Sequence, residues 1–227
     1  MTGKLALITG ASHGIGAAVA HMLASEGFDI CVNYRSDHEA AARVVAECEA
    51  IGVRAAAVSA NVGEPQDVNR LFAECDTRLG RLTCLVNIIG AACRLEDLSP
   101  EVLSETFEIN TFGPFYCTQE AARRMSTRHG GSGGTIINMS SIAAMLGSPN
   151  EYVHYAASKG ALESLTAGSG KELAPEGIRV NAIRVGTTNT RIHTEGGNPA
   201  RPAKIAAMTP MRRIAEPEDI ARAVVWL

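Results

Sequence analysis

Lys4-Leu5-Ala6-Leu7-Ile8-Thr9-Gly10-Ala11-Ser12-His13-Gly14-Ile15-Gly16 decides the fold. The first six residues form a short apolar run that stops at a glycine, which predicts a buried strand. The glycines that follow open a helical stretch reaching about Gly27. A glycine-rich turn between a strand and a helix is the context that gives such a motif meaning. Gly10 permits a tight turn, while Gly14 and Gly16 let a pyrophosphate approach the backbone. The helix start then offers N–H groups and a positive dipole end. The spacing is G-x-x-x-G-x-G, and by itself it also suits a tight turn with no ligand.

The same alternation continues outward from this stretch. Strand runs are predicted at Phe28–Tyr34, Val53–Ser59, Leu82–Asn87, Thr135–Met139 and Ile178–Ile183. Helices are predicted from Asp37 to about Ile51, from Pro65, from about Pro100 to Arg124, and from Tyr152 to about Ala174. Asp37 is placed to cap its helix, and Pro65 takes a favoured first-turn position. The strands are apolar throughout, so both of their faces are buried. Six strand–helix alternations of this kind predict an α/β, doubly wound parallel sheet of Rossmann type, as one domain over residues 1–227. Thr187 to Pro202 carries Gly196-Gly197 and two prolines beyond the end of the sixth strand, and residues 187–210 are a candidate substrate lid. Glu216-Pro217-Glu218-Asp219 starts a last helix, with acids at its positive end.

Composition narrows the function. The 227 residues are 46% hydrophobic with a net charge of −3, enough for a core and without the basic runs of a nucleic-acid binder. No apolar run approaches the ~18 residues of a membrane span, and Met1-Thr2-Gly3-Lys4 has no signal-peptide layout. The six cysteines are scattered without a C-x-x-C, as expected of reduced thiols in a cytoplasmic protein with no metal site.

Two clusters carry chemistry. In Tyr152-Val153-His154-Tyr155-Ala156-Ala157-Ser158-Lys159, Tyr155 and Lys159 lie four apart and share a helix face. Bringing a phenol from its usual pKa near 10 to neutrality takes about three units, and a nearby cation supplies about one to three. Lys159 with a cationic cofactor ring covers that range. Such pairs are also common on helices that do no chemistry. The second cluster is Val32-Asn33-Tyr34-Arg35-Ser36 at the end of the second strand. An NAD site wants an acid here and an NADP site a cation. Asn33 and Tyr34 are not acids, Asp37 is better used as a cap, and Arg35 is a phosphate fork. The pattern therefore reads as NADP over NAD, although Arg35 also suits an ordinary solvated surface.

Thr9-Gly10-x-x-x-Gly14-x-Gly16, Ser140-Ser141 and Tyr155-x-x-x-Lys159 together resemble the short-chain dehydrogenase/reductase family over essentially the whole chain. The resemblance implies that Tyr155 exchanges a proton with the carbonyl or hydroxyl group of a small-molecule substrate. Lys159 would hold the nicotinamide ribose and lower the phenol pKa, Ser141 (rather than Ser140) would polarise the carbonyl, and Asn110 would act in the proton relay. Tyr152 is a rival phenol without the lysine spacing and is expected to line the pocket. Cofactor contacts are implied at Gly10, Ser12, His13, Gly14, Ile15 and Gly16 in the first turn. Further contacts are implied at Asn33, Tyr34 and Arg35, at Asn61 and Val62, at Asn87 and Gly90, at Tyr155 and Lys159, and at Gly186, Thr188 and Thr190.

The chain departs from the family pattern at several positions. Asn87-Ile88-Ile89-Gly90 replaces Asn-Asn-Ala-Gly, Val185-Gly186 replaces Pro-Gly, Asn61 replaces an aspartate, and His13 replaces a frequent arginine. The loop before Tyr155 is one residue longer than usual. The seventh strand that the resemblance implies after Trp226-Leu227 is missing from the sequence. Gly168 and Gly170 suggest a close helix–helix contact, hence a homo-oligomer, dimer or tetramer. Within the family the chain resembles glucose 1-dehydrogenases and 3-oxoacyl-(acyl-carrier-protein) reductases. Arg123, Arg124 and Arg128 offer the second group a docking patch or are simply a solvated helix end. A non-catalytic NADP-binding sensor or scaffold is the alternative of another class.

Overall fold

The structure, a computed structural model, describes residues 3–88, 98–190 and 201–227. Six strands alternate with helices: β1 (Lys4–Ile8), α1 (Gly14–Ser25), β2 (Phe28–Tyr34), α2 (His38–Ile51), β3 (Ala55–Ser59), α3 (Pro65–Leu79) and β4 (Cys84–Asn87). The chain continues with α4 (Pro100–Phe107), α5 (Gly113–Met125), β5 (Gly134–Ser141), α6 (Ala143–Leu146), α7 (Val153–Leu173), β6 (Ile178–Val185), α8 (Arg201–Met208) and α9 (Pro217–Trp226). All pairings are parallel, in the order β3-β2-β1-β4-β5-β6. The order reverses between β1 and β4, so a crevice opens at the carboxyl ends of those two strands, the general ligand position of this architecture.

The apolar strands bury both faces because their side chains alternate between two cores. On β1, Ala6 and Ile8 join Val19 and Leu23 of α1, Val44 of α2 and Val224 of α9. Leu5 and Leu7 point the other way, among Leu71 and Phe72 of α3 and Cys117 and Met125 of α5. Asp37 caps α2 through Ala40 N, and Pro65 stands in the first turn of α3. Glu216 and Asp219 form a capping box at α9.

Several expected boundaries move. The third strand begins at Ala55, because Asp29 Oδ1 takes the Arg54 N–H (2.9 Å) before the chain joins the ladder. The predicted helix from Pro100 to Arg124 is interrupted by a wide turn over Glu108–Phe112, where Gly113 N–H bonds five residues back to Glu108 O. Pro114 has no N–H to give Asn110 C=O, which removes the ordinary helical bond at that place. Helices α6 and α8 were not anticipated; each is short, and Pro202 falls in the first turn of α8. Gly170 makes its close approach within the chain, since a Cβ there would lie 3.3 Å from Val180 O of β6. Gly168 faces open space.

The three glycines of the first turn are needed for different reasons. Gly10 (φ +59°) and Gly14 (φ +51°) adopt left-handed backbone. Gly16 is helical, but a Cβ on it would lie 2.4 Å from Gly10 O and 2.7 Å from Ala11 Cα. Its bare Cα thus lets α1 close on its own turn, a role distinct from the pyrophosphate approach expected of it. Both clashing atoms are backbone, so Gly16→Ala is expected to cost about 1–3 kcal/mol by overpacking. Urea unfolding would read this as a lower midpoint, and an unchanged midpoint would show that the turn can shift freely.

Candidate active site

A cleft of about 1300 Å³ lies over the carboxyl ends of the strands. Most of the expected residues line it, from Arg35 at one end to Tyr155 and Ser141 at the other. A shallower depression of about 760 Å³ beside β3 contains none of them.

At the glycine-turn end, α1 starts after His13 with no side chain capping its first N–H groups. Ile15 lies in that uncapped turn on the cleft. Ser12 Oγ lies 3.0 Å from His13 Nδ1, and His13 Nε2 lies 3.0 Å from Asp37 Oδ2. Across the cleft, Thr190 Cγ2 would be 3.2 Å from a Cβ on Gly14, so the chain beyond β6 folds over the turn. Thr188 Oγ1 donates to Gly186 O (3.1 Å), and Thr188 bridges to Ala215, which fixes this return segment.

Beyond the turn, Asn33 touches the cleft but is buried, with its carboxamide taken up by main chain. Its Nδ2 donates to Ala60 O (3.1 Å) and Val58 O (3.3 Å), and its Oδ1 accepts from Gly10 N (3.4 Å). One side chain thus ties the glycine turn to the ends of β2 and β3. Tyr34 Oη bonds His38 Nδ1 at 2.8 Å, and Arg35 Nη1 bonds Glu105 Oε1 at 2.8 Å. Asn61 Oδ1 accepts from Gly63 N (3.2 Å), which leaves one lone pair for another donor. Val62 lines the cleft beside it, close under Gly113.

Asn87 does not reach the cleft surface. It is buried between β4 and β5, where its Nδ2 donates to Asn138 Oδ1 (2.9 Å) and Asn138 Nδ2 donates to Thr166 Oγ1 of α7 (2.9 Å). The neighbouring Ile88 lines the cleft instead. Gly90, together with the lid residues 191–200, lies outside the described residues.

At the other end, α7 presents Tyr155, half-buried, to the cleft. Lys159 is 2% exposed, its Nζ donates to Met139 O (2.8 Å), and it lies 5.6 Å from the centre of the Tyr155 ring. Burial lowers its pKa to about 7. Ser141 ends β5 on the cleft, where its Oγ accepts from Ala143 N (3.1 Å) and starts α6. Ser140 also borders the cleft, but its Oγ donates to Glu163 Oε1 (2.8 Å), and Glu163 grips Arg184 of β6 with two 2.7 Å bonds. Arg184 accordingly holds the Glu163 carboxyl below its usual pKa. Asn110 is buried in the wide turn behind α7 and donates to Ser158 Oγ (3.1 Å), which donates in turn to Tyr155 O (2.7 Å). Tyr152 lines the cleft as expected.

Three contributors escape sequence reading. Ser158 and Glu163 position α7; Glu163 is four residues beyond Lys159, so a helical-face analysis could have singled it out. Glu105 meets Arg35 across 70 residues, and no local pattern announces that pair. Among the described residues, no group of three or more His, Cys, Asp or Glu side chains could hold a metal ion. Five cysteines, Cys31, Cys48, Cys75, Cys84 and Cys117, are buried free thiols.

The chain and its fold are similar to known proteins. A family model described as enoyl-(acyl carrier protein) reductase matches residues 10–227. The chain is 42% identical to the uncharacterized oxidoreductase YgfF of Escherichia coli K12, covering 98% of this chain and 92% of that protein. It is 35% identical to an L-rhamnose 1-dehydrogenase (NAD(P)(+)) of Sphingomonas sp. SKA58, covering 100% of this chain and 89% of that one. A crystal structure of a short chain dehydrogenase from Burkholderia cenocepacia J2315 in complex with NADP superposes with a TM-score of 0.88 at 34% identity, covering 98% of this chain and 89% of the other.

Proposed function

The chain belongs to the short-chain dehydrogenase/reductase family, oxidoreductases that act on alcohol and carbonyl groups with a nicotinamide cofactor, and from that premise we propose an NADP-dependent enzyme for a sugar, a ketone or a similar small molecule. The observation that carries the proposal is the placement of Tyr155 and Ser141 at one end of a single cleft, with Lys159 buried beside the Tyr155 ring, and Arg35 at the other end.

The left-handed glycine turn, the uncapped start of α1 and the volume of the cleft all fit a dinucleotide. When bound, the nicotinamide group supplies or accepts the hydride. The protein's own residues manage the proton and the oxygen. Ser141 Oγ donates a hydrogen bond to the substrate oxygen and polarises it. In reduction, the Tyr155 O–H proton passes to that oxygen as the carbon gains its hydride, leaving a phenolate and an alcohol. In oxidation the phenolate takes the hydroxyl proton back. Lys159 Nζ, when charged, stabilises the phenolate and holds the ribose. Asn110, oriented by Ser158, serves the relay that restores the phenol proton. Thr190 and Gly186 meet the nicotinamide end, while Asn61 and Val62 meet the adenine end. Residues 187–210 act as the lid.

The choice of NADP rests on Arg35, whose guanidinium is half-exposed at the far end of the cleft. Charge-assisted hydrogen bonds contribute about 1.5–3 kcal/mol. Arg35→Ala is therefore expected to weaken NADPH binding about 10–100-fold and to leave NADH within about twofold. Calorimetric titration of both nucleotides checks this.

The three arginines considered for docking are each paired within the chain. Arg123 pairs with Glu120, Arg124 with Asp76 (2.8 Å) and Glu120 (2.5 Å), and Arg128 with Glu176 (2.6 Å). Arg123 and Arg128 are exposed in these pairs and screened by water, so they do not decide between the substrate classes. The relative named L-rhamnose 1-dehydrogenase favours a sugar or small ketone over a carrier-bound thioester. No observation favours a sensor or scaffold without turnover. A homo-oligomer in the cytoplasm completes the reading; among the described residues no helix is long and apolar enough to cross a membrane. The function is tested by following NADPH and NADH oxidation against ketones, keto-sugars and acyl thioesters, with sugar oxidation in reverse. Faster turnover with NADPH on a ketone or keto-sugar supports the proposal. Turnover restricted to acyl thioesters would replace the substrate class.

A further inference from the structure

Five described side chains lining the cleft are ionisable as acids or as strong or weak bases of the Asp, Glu, Arg and His types: His13, Arg35, Asp37, Glu105 and Glu151. Arg35 alone among them is a permanent cation. It does not stand open, because Glu105 Oε1 of α4 holds its Nη1 at 2.8 Å, bridging from α4 to the end of β2. Both partners are held from behind. Ser59 Oγ donates to Arg35 O (3.1 Å), and α4 is capped by Ser99, whose Oγ accepts from Val102 N (3.3 Å). His13, the other basic side chain at this end, is itself engaged by Asp37 Oδ2 at 3.0 Å.

We infer that Glu105 is a specificity-determining residue that competes with a cofactor 2′-phosphate for Arg35 and so narrows the preference for NADP(H) over NAD(H). The inference rests on the proposed recognition of that phosphate by Arg35. The pair is 61% and 50% exposed, so water screens it and it can exchange readily. A 2′-phosphate that takes the guanidinium must displace Glu105, whose carboxylate then stays nearby as a like charge. A 2′-hydroxyl needs no such exchange. The handicap therefore falls on the phosphorylated cofactor alone. A carboxylate that faces Arg35 from α4 leaves the glycine turn untouched, so the nucleotide's shared portion binds as before.

The test is calorimetric titration of NADPH and of NADH into the wild type, Glu105→Gln, Arg35→Ala and the double variant. Glutamine keeps the shape of the side chain and removes its charge. Glu105→Gln is expected to tighten NADPH about three- to tenfold and to leave NADH within about twofold, the size of effect that a screened charge at this range supplies. In the Arg35→Ala background the gain should shrink. Unchanged or weaker NADPH binding in Glu105→Gln, with Arg35→Ala still weakening NADPH, would overturn the role of Glu105 and leave NADP recognition by Arg35 standing. Equal tightening of both nucleotides would also overturn it. If Arg35→Ala leaves NADPH unaffected, the underlying reading of Arg35 fails instead.

Discussion

Tyr155→Phe is expected to lower kcat by about 10²–10⁴-fold, the range a positioned general acid contributes, with NADPH affinity unchanged within about twofold. The phenylalanine ring keeps the packing of α7 and removes only the oxygen that carries the proton. The fold should therefore survive, and the thermal midpoint should barely move. Tyr155 is suited to this role because it lies half-buried on the cleft with Lys159 one helical turn away, 5.6 Å from its ring centre. A free phenol near pKa 10 would give too little phenolate at neutral pH, and the ammonium opposes that. Tyr152→Phe is the control, because Tyr152 also lines the cleft but has no lysine one turn on. It should alter KM with kcat retained. Single-turnover kinetics with saturating NADPH separates chemistry from binding. A Tyr155→Phe enzyme with full kcat would show that the proton comes from elsewhere.

Lys159→Met is expected to abolish most turnover and, at the same time, to stabilise the cofactor-free protein at neutral pH. Burial lowers the Lys159 pKa from 10.5 to about 7. Between those values the unfolded chain carries the proton and the folded chain does not. More protons are bound in the unfolded state, so stability rises with pH across that window, by at most about 1.4 kcal/mol per pH unit. Below about pH 7 both states hold the proton and the cost of the buried ammonium is complete. Methionine fills the same channel without a charge. It should add about 2–4 kcal/mol near pH 6–7, and the advantage over wild type should fade as pH approaches 10. Urea unfolding of both proteins at several pH values measures it. A methionine variant less stable than wild type at pH 7 would mean that hydrogen bonds such as that to Met139 O more than offset the desolvation. Maintaining a costly ammonium in the core is understandable if the lysine is retained for chemistry.

The two halves of the site were not equally legible in the sequence. The glycine turn and the Tyr155–Lys159 pair are local: chirality and helical period place them without knowledge of the rest of the chain. Asp37 and Pro65 were readable for the same reason. Asn87 and Asn33 show where local reading stops. Each follows or ends a strand at the height of the cleft, but which way its carboxamide turns is decided by Asn138 in one case and by Ala60 and Val58 in the other. The break at Glu108–Phe112 depends on Pro114 acting four residues back. The partner of Arg35 lies 70 residues away on α4, where only the assembled sheet can bring it. Family likeness alone separates Ser140 from Ser141; the bond of Ser140 to Glu163 of α7 is a long-range contact that no local pattern announces.

The most direct test of the account is hydride tracing. NADPH carrying deuterium at the transferable C4 position is incubated with the enzyme and the best carbonyl substrate, and the alcohol is analysed by mass spectrometry. One deuterium is expected at the new carbinol carbon with the wild type and almost none with Tyr155→Phe under the same conditions. A product that forms without the label, or bound NADPH that never transfers it to any ketone, keto-sugar or thioester, would contradict it.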